Sequence, residues 1–171
     1  MKNAIFLAAL PLALAAVPAA AQDSESYAIN LSGSVASNCE LVPEGSGSYN
    51  VDMLDTGNQG SLTILYSCNS PYTVSLTSLN GGMEHQESSG AVNIDYDVES
   101  IGFGNAGGVS SVNSAAITSP TVIGTNNDWE NILTNGGVRT GNLDLSFDSL
   151  SEYAVAGTYE DTLTITLAAN Y

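Results

Sequence analysis

The chain has 171 residues and a formal net charge of −16 at pH 7, with two Lys or Arg against 18 Asp or Glu. That balance excludes a nucleic-acid binder, which needs a basic footprint to displace counterions from phosphates, and an anionic membrane surface would repel the protein as well. The excess of acid reads as the solubilising surface of an exported protein.

The first element is a leader. Met1-Lys2-Asn3 precedes an apolar run from Ala4 to Ala16, and Pro18 with Ala19-Ala20-Ala21 completes a small-residue cleavage site. Residues 1–21 are therefore expected to be a secretory signal peptide, too short to anchor the chain across a bilayer. Cleavage after Ala21 leaves about 150 residues, enough for one domain with a core. It also removes Lys2, so Arg139 becomes the only Lys or Arg. Sortase-built pili and isopeptide-linked domains need a reacting lysine and are excluded. No second apolar run follows, so direct membrane insertion is not expected, and the long apolar helix of a type IV pilin is missing. No Cys stands at the cleavage site to make a lipoprotein.

The rest of the chain reads as strands between Gly, Ser and Asn turns. Tyr27, Ile29, Leu31, Gly33 and Val35 alternate in an expected first strand within residues 22–38. Cys39 to Val42 ends that strand before a turn at Pro43, and Leu62, Ile64, Tyr66 and Cys68 then share one face. Tyr72, Val74 and Leu76 follow, stopping at Asn80-Gly81-Gly82. Val92, Ile94, Tyr96 and Val98 form another run. Residues 102–116 are rich in Gly, Ser and Asn and are expected to be an exposed loop or irregular edge. Thr121-Val122-Ile123 is a weaker strand. Asp128 to Leu133 has room for one helical turn, ended by Asn135-Gly136-Gly137.

Leu143, Leu145 and Phe147 precede a final strand that runs to the last residue. Tyr159, Leu163, Ile165, Leu167, Ala169 and Tyr171 share one face, while Glu160, Thr162, Thr164, Thr166 and Asn170 fall on the other. This strand belongs to the core, and its edge needs a partner. About seven short strands with regular turn signals predict an all-β sandwich in a single domain.

Cys39 and Cys68 are the only cysteines. In an oxidising compartment an isolated pair forms a disulfide, and no further ligand types are spaced nearby for a metal. Closing a loop of about 30 residues is worth roughly 3–4 kcal/mol in the chain-entropy model.

Motifs for chemistry are sparse. Gly102, Gly104 and Gly107 match the dinucleotide fingerprint literally, but the residues after Gly107 are a poor start for the helix that fingerprint needs. His85 is the sole histidine and would have to serve any Ser-His-Asp triad; no nucleophile elbow accompanies it, and an exposed polar turn is the expected setting. Asp95, Asp97 and Glu99 alternate along one strand, and Asp52 and Asp55 lie near Gly57. Neither group matches a calcium loop, and a solvated face that resists edge-to-edge aggregation accounts for the first. No cofactor is expected. Paired carboxylates leave a hydrolytic or carbohydrate-binding β-domain open, although Trp129 is the only tryptophan available as a sugar platform.

Taken with the early cysteine in Ser37-Asn38-Cys39-Glu40-Leu41, the string Ala156-Gly157-Thr158-Tyr159-Glu160-Asp161-Thr162-Leu163 resembles the spore coat protein U domain family, which includes the Csu-type pilins of archaic chaperone–usher pathways. The resemblance implies an incomplete immunoglobulin-like, pilin-type β-sandwich over residues 39–171 that lacks its last strand. A periplasmic chaperone fills the resulting groove first, and the N-terminal extension of a neighbouring pilin subunit then replaces it by β-strand addition, with an outer-membrane usher as the assembly platform. Carried over, Gly157, Tyr159, Leu163, Ile165, Leu167 and Tyr171 form the acceptor groove and chaperone-binding wall, and Tyr27, Ile29 and Leu31 are the donor-strand residues. The implied function is a structural subunit of a surface pilus or fimbria, exported through the periplasm, that supports adhesion or biofilm formation without catalysis. A self-contained secreted coat protein of the same family is the alternative if residues 22–38 serve wholly as the domain's own first strand.

Overall fold

The computed structural model describes residues 25–45, 47–103, 107–134, 138–148 and 155–170. The leader, the turn at residues 135–137 and Tyr171 lie outside the described residues. The strands are β1 (Cys39–Pro43), β2 (Gly57–Cys68), β3 (Tyr72–Ser78), β4 (Met83–His85), β5 (Asn93–Ile94), β6 (Asp97–Phe103), β7 (Gly107–Gly108), β8 (Val112–Asn113), β9 (Thr121–Asn126), β10 (Arg139–Phe147), β11 (Tyr159–Glu160) and β12 (Leu163–Ala169), with one short helix, α1 (Trp129–Thr134).

Alternation builds the first sheet. β2 turns Ile64, Tyr66 and Cys68 fully inward and leaves the residues between them half-buried. It pairs antiparallel with β1 through Leu41↔Tyr66 and with β10 through Leu143↔Leu62, and the five-stranded sheet runs β1-β2-β10-β6-β8. Cys39 and Cys68 are register partners across β1 and β2 and form the disulfide. Gly141 of β10 faces Phe103 of β6, and a Cβ there would lie 2.5 Å from the Phe103 ring. Only glycine lets that ring lie against the neighbouring strand and reach Tyr66, 5.5 Å away between centroids.

The second sheet has the order β12-β3-β9-β7, and a small third sheet runs β11-β4-β5. Tyr72, Val74 and Leu76 of β3 are fully buried and join Ile64, Tyr66, Val98, Leu143 and Phe147 in one core drawn from both large sheets. Burial of each such side chain contributes about 1.5–3 kcal/mol. The protein is thus an all-β sandwich built from antiparallel sheets. Asp128 starts α1 by accepting the Asn131 N–H at 3.1 Å, as an N-cap should. Among the described residues no helix is long and apolar enough to cross a membrane.

Three expectations are corrected. The chain divides into two units, Met1–Ser34 and Val35–Tyr171. In the first, the described residues 25–34 contain no strand, and Tyr27, Ile29 and Leu31 are exposed. The alternation from Tyr27 to Val35 therefore does not make a first strand, which begins instead at Cys39. In the second unit, Ala36 and Asn38 bond to the Asn69 side chain at 2.9 and 2.7 Å, and Ser37 meets Ser70 at 2.8 Å, so side chains satisfy this stretch where a ladder would.

Of the loop and the irregular edge expected over residues 102–116, the structure shows the edge. These residues contribute the end of β6 and the edge strands β7 and β8, and Ser114 and Ile117 are buried at a short 3₁₀ turn. Gly102 and Gly107 consequently lie on strands, with no helix after them, while Gly104 is outside the described residues. His85 is buried rather than exposed. The terminal strand is two strands in two sheets, divided at Asp161 and Thr162.

Candidate functional site

β3 and β12 are adjacent in the same sheet, yet their inward residues differ in burial. Val74 and Leu76 are fully buried, while their register partners Leu167 and Ile165 are only half-buried, as is Leu163. The reason is position. β3 is flanked by β12 and β9, but among the described residues β12 pairs with β3 alone. Among the described residues β1 is likewise the edge of its own sheet and pairs only with β2, and β1 and β12 lie near each other without forming a ladder. One side of the sandwich is therefore bounded by two strand edges whose outer N–H and C=O groups belong to no sheet pairing among the described residues.

Between these edges opens a cleft of about 610 Å³. Leu41 and Pro43 of β1, with Tyr49 and Val51 from the loop after it, form one wall. Tyr159, Leu163 and Ile165 form the other. The floor is apolar: Leu62 and Ile64 of β2, Leu143, Leu145 and Phe147 of β10, Met83 and Tyr96. Of the residues expected to line a groove, Leu167 is half-buried against the core but does not line this cleft. Gly157 leads into β11, and Tyr171 lies outside the described residues.

The end of the cleft is held by Asp161, which the alternation of residues 159–171 passed over. Its carboxylate accepts from Ser78 Oγ at 2.6 Å, Tyr96 Oη at 2.8 Å, Asn80 N at 3.0 Å and Thr162 N at 2.8 Å. These bonds fix the point where the chain leaves β11 and enters β12. The signal was present: Asp161 stands on the apolar face between Tyr159 and Leu163, where a carboxylate needs internal donors. Tyr96 is held protonated by burial and by the neighbouring Asp161, which raise its pKa well above 10.0. The floor residues Met83, Tyr96, Leu145 and Phe147 carried no signal beyond ordinary core alternation.

His85, on β4, is only 3% exposed. Its Nε2 lies 3.1 Å from the Ala156 carbonyl oxygen and 3.4 Å from a Glu87 carboxylate oxygen, and its ring packs against Tyr159 at 5.0 Å. A Cβ on Gly157 would overlap the imidazole, so glycine is required where this segment crosses His85. Glu87 accepts the Thr158 N–H at 3.0 Å, which holds its carboxyl below the usual value. His85 thus braces the strand that carries Tyr159 into the cleft wall, a role quite different from a polar turn.

The acidic groups make local bonds. Asp52 and Asp55 accept backbone N–H groups of their own loop, Asp97 accepts from Asn113, and Asp144 accepts from Ser61, which lowers its pKa. Among the described residues no three His, Cys, Asp or Glu side chains group as metal ligands. Arg139 donates to Tyr72 Oη at 3.2 Å and to the Asn131 carbonyl at 3.3 Å.

The fold and cleft define an all-β sandwich with one open side bounded by strand edges. No family model matches the chain, and no curated protein matches it. Among solved structures it is similar to a chain of the chaperone–tip adhesion subunit pre-assembly complex from archaic chaperone–usher Csu pili of Acinetobacter baumannii, with 19% identity over 78% of this chain and a TM-score of 0.35. This chain corresponds to 40% of that chain's length.

Proposed function

We propose that the protein is a structural subunit of a chaperone–usher surface fibre, assembled by addition of an extended strand to the cleft between β1 and β12. What supports this reading is one observation. The inward residues of β12 are half-buried beside the fully buried inward residues of β3, and the edge next to them is unpaired among the described residues. A strand laid in the cleft would supply backbone partners to that edge and alternate side chains to the apolar floor. Completing the burial of Leu163, Ile165 and the floor residues gains on the order of 1 kcal/mol for each half-buried side chain.

In this reading a periplasmic chaperone supplies the strand first and a neighbouring subunit supplies it in the fibre. The outer-membrane usher carries the exchange, and the fibre serves adhesion or biofilm formation at the cell surface. The test is backbone hydrogen exchange on the exported chain, alone and in its chaperone complex or polymer. The amides of β12 that are not bonded to β3 should exchange rapidly in the isolated subunit and become protected on assembly. Equal protection in both states would show that no strand is added there.

A further inference from the structure

The cleft is apolar inside and acidic around it. Glu160 lines it and stands directly opposite Glu84 in the β11–β4 register. Like charges directly opposite across two strands destabilise their pairing. On the other wall, Glu40 on β1 and Glu44 just after it are exposed and alternate with the lining residues Leu41 and Pro43. Among the described residues none of these glutamates has a basic partner. Asp161 differs, because its oxygens are already occupied by Ser78, Tyr96, Asn80 and Thr162. Arg139 is the only Lys or Arg after residue 21, and it is engaged with Tyr72 and Asn131, neither of which lines the cleft.

We propose that the cleft is suited to a basic strand from an unlike protein, an alternating apolar segment with lysine or arginine at the intervening positions, in preference to the N-terminal segment of a second copy of this chain. The inference rests on the strand-accepting reading and names the chemistry of the partner. The segment Gln22–Asn38 has the required apolar alternation, but it carries Asp23 and Glu25 and no cation. A second copy therefore brings negative charge to an acidic rim. A basic strand brings the charge that Glu40, Glu44, Glu84 and Glu160 lack. Each exposed pair is individually weak and is screened over roughly 10 Å at moderate salt. Several acting together amount to about a tenfold preference at low ionic strength.

The experiment uses the full exported chain and two labelled peptides. Both keep the apolar alternation of Tyr27, Ile29, Leu31 and Val35; one has lysine at the intervening positions and the other glutamate. Binding is read by fluorescence anisotropy. The lysine peptide should bind about tenfold more tightly at low salt, and the ratio should fall towards one near ~0.5 M salt. The double variant Glu84→Gln and Glu160→Gln should reduce the ratio at low salt while its urea midpoint shows that it remains folded. Equal binding of the two peptides at low salt overturns the charge preference and leaves strand addition standing. So does a ratio that neither salt nor the double variant alters. Failure of both peptides to bind overturns strand addition and the preference together.

Discussion

The Tyr96 hydroxyl donates to the Asp161 carboxylate at 2.8 Å, joining a core residue of the sandwich to the break between the two C-terminal strands. The same carboxylate oxygen accepts from Ser78 at the end of β3, and the other takes the Asn80 N–H. Three segments distant in sequence thus meet at one end of the cleft. Asp161→Ala should cost about 2–4 kcal/mol, since it leaves Ser78, Tyr96 and Asn80 without their acceptor in a partly buried site. Urea denaturation measures this. A change within about 0.5 kcal/mol would mean that the network contributes nothing.

Alkali should destabilise the fold. Burial raises the pKa of Tyr96 and of Tyr66 well above 10.0, with Asp161 adding to the first and Tyr72 to the second. Both are therefore held protonated when the unfolded chain begins to ionise. A group whose folded pKa is raised contributes stability that is complete below its unfolded pKa and is lost as pH rises through the folded value. Stability should fall from about pH 10 upward, by up to ~1.4 kcal/mol per pH unit for each tyrosine. Tyr96→Phe should reduce that slope by about one proton, even though it also removes the bond to Asp161. Unfolding midpoints unchanged between pH 9 and 11, about one unit either side of the free phenol, would contradict this.

The Cys39–Cys68 bridge closes a loop with a sequence separation of 29 residues. Cys68→Ser should lower stability by roughly 3–4 kcal/mol through the freed unfolded chain. Reductant should lower the urea midpoint of the wild type and have no effect on the variant. Full thiol labelling without reduction would argue against the bridge.

Charges placed in the N-terminal segment separate donation from folding. Tyr27, Ile29 and Leu31 are exposed and belong to no strand, so Ile29→Asp and Leu31→Asp should leave the urea midpoint unchanged. If the segment donates a strand, each should abolish the heat-labile, detergent-resistant polymer ladder, because an unpaired carboxylate in an apolar cleft costs several kcal/mol. Asn30→Asp, on the opposite face, should be nearly silent. Ladders of normal strength from both apolar variants would exclude this segment as the donor.

Features that depend on neighbours within a few residues were legible in the amino-acid sequence. Period-two alternation identified β2, β3, β10 and β12 and the inward face of each, and Asp128 announced α1. Two cysteines with no other ligand types spaced near them announced their own bridge. Pairing between distant segments emerged only in the folded chain. The same alternation stands at Tyr27–Val35, which forms no strand, and at Leu163–Ala169, which does, because a strand exists only where another edge accepts its backbone groups. Asp161 divides the C-terminal run because Ser78, Asn80 and Tyr96 gather around it, and His85 is buried because residues 156–159 cross over it. The cleft is likewise a tertiary fact. It exists because β1 and β12 end up side by side with no strand of the described residues between them, a relationship between residues more than a hundred positions apart that no local pattern of side chains encodes.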